Sequence, residues 1–274
     1  MNNANLGTAD VETFHVQLVE ICKIFDDAAK GIKTTALSNV NIEICKREAV
    51  CLLGPSGCGK STILNIIAGF IAPDSGKALL KNQNIKGAGS DRGVVFQEHH
   101  LFYWLTVEEN IAFGLKLKSN SEEHYAPLVK KYIDLIGLRG YEKHFPRELS
   151  GGMKQRVSIA RTLINEPEIL LMDEPFASLD AQTRLIMQEW LLKIWEEHKM
   201  TMLFITHDID EAILIADRLY IMGVKPGRVI EEMKVPLPRP RAREFLTDPV
   251  FSEIKRRVIE LISGESRKAF ELNA

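Results

Sequence analysis

The stretch GPSGCGKS at residues 54–61 limits the folds open to this chain more than any other. It follows the apolar run AVCLLG, which reads as a strand covered on both faces, and it leads into KSTILNIIAG, which reads as a helix ending near residue 69. Gly54, Gly57 and Gly59 permit a tight turn whose backbone N–H groups point inward, and the helix N-terminus adds its positive dipole. Such a loop between strand and helix cradles phosphate oxygens. Lys60 is then placed to reach the β- and γ-phosphates of a nucleotide, and the Ser61 hydroxyl to ligate Mg²⁺.

The rest of the chain alternates short apolar runs with longer amphipathic ones, the pattern of an α/β protein with a mostly parallel sheet. FHVQLVEICKIF and ALSNVNIEICKREAVCLLG alternate in period two and predict strands. The turn PDSG closes the unit begun at residue 54, and RGVVFQ reads as a further core strand. From 97 to 150 helical signals take over. Thr106 and Glu109 form a T-x-x-E capping box, and Ser121 with Glu122 and Glu123 opens a helix running to Gly137. Beyond them, EILLMDEP and TMLFITHD read as buried strands on either side of QTRLIMQEWLLKIWEEH. There Ile186, Trp190 and Ile194 make one i,i+4 stripe and Met187, Leu191 and Trp195 another, so these tryptophans are expected in the core. The prolines of PLPRPR stop a helix, and FSEIKRRVIELI beyond them suits a short amphipathic one.

Composition narrows the function. With 274 residues, 45% of them hydrophobic, the chain can fill one large α/β domain or two lobes sharing a core. Its 35 basic and 37 acidic residues leave a net charge of −2, which gives no broad attraction to nucleic acid or anionic lipid. No apolar run reaches the roughly 18 residues of a membrane span. The polar start MNNANLGTADVETFH lacks a basic region and an apolar core, and reads as a loose tail rather than a targeting signal. Cys22, Cys45, Cys51 and Cys58 show neither CxxC pairing nor a His partner at zinc-ligand spacing, and are expected as buried, reduced thiols.

Further chemistry gathers at strand ends. ILLMDEP delivers Asp173 to hold Mg²⁺ through its water shell, and Glu174 follows it, placed to take a proton from a water attacking a γ-phosphate. Gln97 closes RGVVFQ and His207 closes LFITH, so both are expected at the carboxyl edge of the sheet, Gln97 positioning metal and water and His207 touching the γ-phosphate. Asp208 and Glu211 read adequately as a helix cap. LSGGMKQRVSIARTL at 149–163 sets a different problem. It has a helix's composition from Met153 onward, yet opens on a Gly-Gly pair, each glycine costing roughly 1 kcal/mol inside a helix. Ser150 at the N-cap followed by Gly151 and Gly152 leaves the first N–H groups bare, which suits a second anion site.

Taken together these residues resemble the ATP-binding subunits of ABC transporters, over about residues 14–241. GPSGCGKS is similar to their Walker A loop, LSGGMKQRVSIARTL to their signature, ILLMDEP to their Walker B strand, Asp180 in SLD to their D-loop, and Gln97 and His207 to their Q-loop glutamine and switch histidine. The resemblance implies an α/β P-loop NTPase. A RecA-like core with an antiparallel β subdomain would occupy 14–97 and 160–241, with a helical lobe inserted at 98–159 and an extension at 242–274. ATP would be held by Gly54, Pro55, Ser56, Gly57, Cys58, Gly59, Lys60, Ser61 and Thr62, with adenine stacked on Phe25, which reads alternatively as a core residue. Ser61, Gln97 and Asp173 would hold Mg²⁺, and Ser150, Gly151, Gly152 and Met153 would act on the ATP of a second copy.

Within the family, LFYWLTVEENIAFGLKL, THDIDEAILIADRLYIM and PLPRPR are similar to importers of the nitrate, sulfonate and taurine group. This implies a homodimer at the cytoplasmic face of the inner membrane, under two permease subunits and fed by an external solute-binding protein. Tyr103 stands where that group commonly has Pro, and Met153 where the generic signature has Gln. Pro146-Arg147-Glu148 also precedes Leu149 in place of a His-Gln pair. Two other functions compete: a soluble ABC ATPase acting on nucleic acid or ribosomes, and a nucleotide-responsive regulatory module.

Overall fold

The run AVCLL forms a strand whose five residues are all buried, because it runs through the middle of a sheet with apolar cores on both faces. The computed structural model describes residues 14–27, 31–118 and 121–271, so the N-terminal tail MNNANLGTADVET lies outside the described residues. The strands and first helix are β1 (Phe14–Asp27), β2 (Ile32–Cys45), β3 (Ala49–Leu53), α1 (Lys60–Ala68), β4 (Ser75–Leu80), β5 (Gln83–Asn84) and β6 (Arg92–Val95). Three helices follow, α2 (Val107–Lys118), α3 (Glu122–Leu135) and α4 (Gly151–Leu163). The chain then returns through β7 (Ile169–Asp173), α5 (Ala181–His198), β8 (Thr201–Thr206), α6 (Ile209–Ile215), β9 (Arg218–Gly223), β10 (Arg228–Lys234) and α7 (Pro249–Glu271).

Two sheets result. One has six strands in the order β10-β9-β3-β8-β7-β6, parallel except for β10, and the other is antiparallel in the order β2-β1-β4-β5. Alternation along β3 sends Val50 and Leu52 into a core shared with α1 and the antiparallel sheet, while Ala49, Cys51 and Leu53 enter a larger core under the remaining helices. α1 is thereby held between the sheets, and Gly69 in the left-handed region (φ 79°) ends it as expected.

The three helices between β6 and β7 answer the helical signals of 97–150. Thr106 and Glu109 form their capping box: Glu109 Oε2 accepts the Thr106 N–H at 2.8 Å, and Thr106 Oγ1 accepts the Glu109 N–H at 3.4 Å. Asn110, fully buried and not anticipated, pins the preceding loop by accepting from Phe102 N and donating to the carbonyls of Phe102, Leu105 and Thr106. α4 runs unbroken through residue 160, so the helix that begins in the lobe ends against β6 of the core.

Some expectations are corrected. On α5, Met187, Leu191, Ile194 and Trp195 are buried, but Ile186 is 60% exposed. Two stripes side by side are wider than the face that the core covers. Trp190 is only partly buried and donates its indole N–H to the Leu135 carbonyl at 3.3 Å. Cys51 and Cys58 are buried, but Cys22, within the first antiparallel strand, and Cys45, at the end of the second, are half-buried. The expected short C-terminal helix is α7, with 23 residues, docked on α6 and β9 through Phe251, Ile254 and Val258.

The PLPRPR segment reaches this helix by way of Arg241, whose buried guanidinium donates to the carbonyls of Ile213, Ala216, Val235 and Leu237. It closes the carbonyl end of α6. Burial and the neighbouring Arg239 push its pKa down to about 10, which still leaves it charged at neutral pH. Arg241→Ala strands these buried carbonyls and leaves a cavity, so a loss of about 3 kcal/mol in urea denaturation is expected, with little recovery in Arg241→Lys.

Candidate active site

Register assembles the site. Leu53 pairs with Thr206, Asp173 with Ile205, and Val95 with Met172, so β3, β8, β7 and β6 all end at one edge of the parallel sheet. The residues that follow these strands are 54–61, His207, Glu174 and, two positions beyond β6, Gln97. A cleft of about 420 Å³ opens there, lined by Ala36, Ser56, Gly57, Gly59, Lys60, Ser61, Thr62, Gln97, Asp173 and Glu174.

The phosphate-type loop has the backbone its glycines imply. Gly57 and Gly59 lie in the left-handed region at φ 78° and 91°, and a Cβ on Gly59 would stand 2.5 Å from Leu37 Cδ2. Gly54 is tight for another reason, since its Cβ would stand 2.8 Å from the Met222 carbonyl. Lys60 is buried, and its Nζ donates to the carbonyls of Gly54 at 2.8 Å and Pro55 at 3.1 Å. Cys58 Sγ sits 3.8 Å from the same Nζ, its thiol pushed up by burial. Opposite, burial pushes the Asp173 carboxyl above the usual range, partly offset by a hydrogen bond from Ser61 and by Lys60.

Glu174 has a left-handed backbone (φ 44°), its N–H given to the Ile205 carbonyl at 2.9 Å. This turn after β7 aims the carboxylate sideways, and its Oε2 meets His207 Nδ1 at 2.9 Å. The His207 side chain is 61% exposed against 21% for Glu174, and it does not line the cleft but reaches it through this bond. A carboxylate thus faces a buried ammonium and a magnesium-type pair, Ser61 with Asp173, across a space of nucleotide-phosphate size.

Other sequence candidates fall outside this cleft. Phe25 does not line it; the ring lies on β1, 45% exposed, with Lys23 Nζ 5.6 Å from its centroid. Ser150, Gly151, Gly152 and Met153 do not line it either. Ser150 is the N-cap of α4 and accepts the Met153 N–H at 3.3 Å, so among the described residues the bare donors narrow to the N–H groups of Gly151 and Gly152. Gly152 has a packing reason as well, because a Cβ there would stand 2.7 Å from Thr183 Cγ2. Asp180 caps α5, accepting from the N–H groups of Gln182 and Thr183 at 3.1 and 3.0 Å, and a hydrogen bond from the Thr183 side chain, with these two, holds its carboxyl below the ordinary value. Asp208 caps α6 by accepting from Glu211 N at 3.1 Å, while Glu211 itself turns inward to accept from Gln188 Nε2 at 2.9 Å.

Sequence reasoning missed two arginines that hold the loops around the site. Arg161 on α4 donates to the carbonyls of His100 at 2.8 Å and His99 at 3.3 Å, tying the segment after Gln97 to the signature helix. Arg184 on α5 donates to the carbonyls of Phe176 and Leu179 in the loop after Glu174. Each sits in a helical run where a solvated arginine would look the same.

With this geometry in view, known proteins give a consistent answer. Residues 37–177 match the family model described as ABC transporter. An aliphatic sulfonates import ATP-binding protein of Bacillus licheniformis is 49% identical over 84% of this chain and 88% of its own length. The chain belongs to the ABC transporter family. A nitrate import ATP-binding protein of Synechocystis is 40% identical over 94% of this chain and 98% of its own. A solved ATP-binding cassette, dimeric and in a post-hydrolysis state with ADP and phosphate bound, superposes with a TM-score of 0.71 at 33% identity, covering 81% of this chain and all of its own. The fold is therefore the expected P-loop ABC ATPase, and the chain is an ATPase of the kind coupled to transport; its relatives favour this over the nucleic-acid alternative.

Glu211 gives a pH-dependent prediction. Burial raises its carboxyl above the ordinary 4.5, though Thr206 and Gln188 hydrogen bonds hold it down. A raised folded pKa means that the native state holds the proton more tightly than the unfolded chain does. Stability is then lost as pH rises from 4.5 through the folded value. Glu211→Gln keeps an acceptor for Gln188 and carries no charge. Urea denaturation should find it at least as stable as the wild type at pH 7, with the advantage gone at pH 4.

Proposed function

We propose that this chain powers solute import as one of two identical ATPase subunits at the cytoplasmic face of a membrane. The convergence of Lys60, Ser61, Asp173 and Glu174 on one cleft, with His207 bonded to Glu174 beside it, carries the proposal. Residues 14–241 act as the ATPase unit, with 98–159 as its helical lobe and 242–274 as an extension. The 54–61 backbone and Lys60 take the phosphates of ATP; these charge-assisted partners are stronger than the neutral carbonyls that hold Lys60 without nucleotide.

Glu174 accepts the proton of the attacking water, and His207 fixes the orientation of that carboxylate through Nδ1, leaving its other ring nitrogen for the γ-phosphate. Ser61, Asp173 and Gln97 suit Mg²⁺, since they offer oxygen ligands beside the loop; they would hold the ion, which would supply neutralisation of phosphate charge. Phe25, exposed on β1, serves as the adenine platform. The N–H groups of Gly151 and Gly152, with Ser150, Met153 and the D-loop Asp180 beside them, complete the site of the other copy, because in their own chain they do not line the cleft. ATP then closes the dimer and its hydrolysis opens it.

The sulfonate and nitrate importers among the relatives support an importer of that group, with two permease subunits and an external solute-binding protein as partners. Among the described residues no helix is long and apolar enough to cross a membrane, so the membrane passage is assigned to the permeases.

Two variants and one purification test these points. Glu174→Gln should keep ATP binding, cut turnover by about a hundredfold or more and accumulate a dimer; turnover within a few-fold of wild type removes the general-base role. Among the described residues an added Cβ at Gly151 meets Leu179 Cδ2 alone, at 3.4 Å, an ordinary contact that the fold tolerates. Gly151→Val should therefore weaken ATP-driven dimerisation in light scattering and leave nucleotide affinity of the monomer intact; equal loss of both would place the signature in cis. The chain should co-purify with a multispanning membrane protein, and a stable complex with RNA instead would sink the transport assignment.

A further inference from the structure

Glu265, on the C-terminal helix α7, is buried at 4% exposure beside the turn that joins β9 to β10. Its Oε2 accepts the Val224 N–H at 3.3 Å, and its two oxygens accept Arg228 Nη2 at 3.1 and 3.2 Å. Arg228 Nη1 in turn donates to the carbonyls of Val224 at 3.1 Å and Pro226 at 3.4 Å. A Cβ on Gly223 would stand 2.6 Å from Glu265 Oε2 and 2.9 Å from Ile230 Cγ2, so the glycine lets the carboxylate approach the turn closely. One carboxylate thus folds the whole turn around itself.

The far side of that turn backs the phosphate loop. Gly227 N–H donates to the Ala36 carbonyl at 3.0 Å, and the Gly227 carbonyl accepts from Ser38 N at 2.9 Å. A Cβ on Gly227 would stand 2.3 Å from the Cys58 carbonyl, and one on Gly54 2.8 Å from the Met222 carbonyl. Ala36 lines the cleft, and Leu37 fills the space that a side chain on Gly59 would need. Backbone packed on backbone has no rotamer with which to absorb a shift, so a displaced turn displaces residues 54–59.

We propose that Glu265 is a positioning residue for the nucleotide: through Val224 and Arg228 it fixes the 223–228 turn against the phosphate loop and so sets ATP affinity. This makes α7 part of the frame of the ATP site, and it rests on the proposal that the cleft binds ATP. The groups assigned to chemistry, Glu174 and His207, follow β7 and β8, which β3 separates from β9 and β10 in the sheet. Phosphate contacts made by the loop act on bound substrate and transition state alike, so their loosening raises KM and spares kcat.

The test is Glu265→Gln in the full-length chain, with MgATP affinity measured by calorimetry, steady-state ATP turnover, and hydrogen exchange of residues 54–61. Kd and KM should rise about three- to tenfold with kcat within about twofold, and exchange at 54–61 should quicken while that at 151–163 does not. Unchanged Kd and KM in the folded variant, or a fall in kcat alone, overturns the proposal. If Glu265→Gln does not fold, the double variant Arg228→Met with Glu265→Met removes the pair without stranding a buried charge. It still deprives Val224 N–H of its acceptor, so the same rise in Kd is expected, and wild-type affinity overturns the proposal. Lys60→Ala separates the two levels: if it abolishes ATP binding while Glu265→Gln binds as wild type, the cleft assignment stands and the Glu265 role falls. A wild-type chain that binds no ATP overturns both.

Discussion

The register of the parallel strands is the constraint on which the site depends. β3, β8 and β7 are buried on both faces, and their pairing sets Leu53 against Thr206 and Asp173 against Ile205, so the three strands end within one residue of a common level. A slip of one residue would carry Val50 and Leu52 out of the core they share with α1 and bring Ala49, Cys51 and Leu53 in their place. Strands packed between two cores cannot accept that exchange. Everything that emerges beyond them, the phosphate-type loop, Asp173 with Glu174, and His207, is consequently held at one edge without any direct bond between the loops being needed.

Charge at that edge is balanced by close, neutral or opposite partners rather than by solvent. Lys60 is held by two carbonyls, Asp173 is pressed upward by burial but steadied by Ser61 and Lys60, and Glu174 is held by His207. The surrounding loops are secured in the same manner by Arg161, Arg184 and Asn110, each of which spends its donors on backbone carbonyls. Loops so tied can carry functional groups with the precision of the strands.

Local chemistry was legible in the sequence. The helix after Lys60, its end at Gly69, the Thr106–Glu109 box and the Ser150 cap all rest on contacts within a few residues, so their residue types suffice. The apolar strands were legible too, because burial on both faces leaves an unbroken apolar run. What was misjudged depends on width and neighbours. Ile186 follows the correct helical period yet lies beyond the edge of the covered face. Gly152 is small for Thr183 on another helix as well as for an open helix end, and the length of α7 depends on the surface against which it docks.

The sequence by itself determined that a phosphate-binding loop, an acidic strand end and a glycine-opened helix occur in this order, since each is a local pattern of spacing and residue type. It also determined the class of fold that such a loop requires. Only the tertiary structure decided which of these share a cleft. Lys60, Asp173, Glu174 and Gln97 meet because separate strands end in register, whereas the Ser150 cap and Phe25 do not line that cleft. Tertiary structure alone also placed Glu265 behind the phosphate loop, far along the chain, because buried charges find their partners through packing and not through sequence distance.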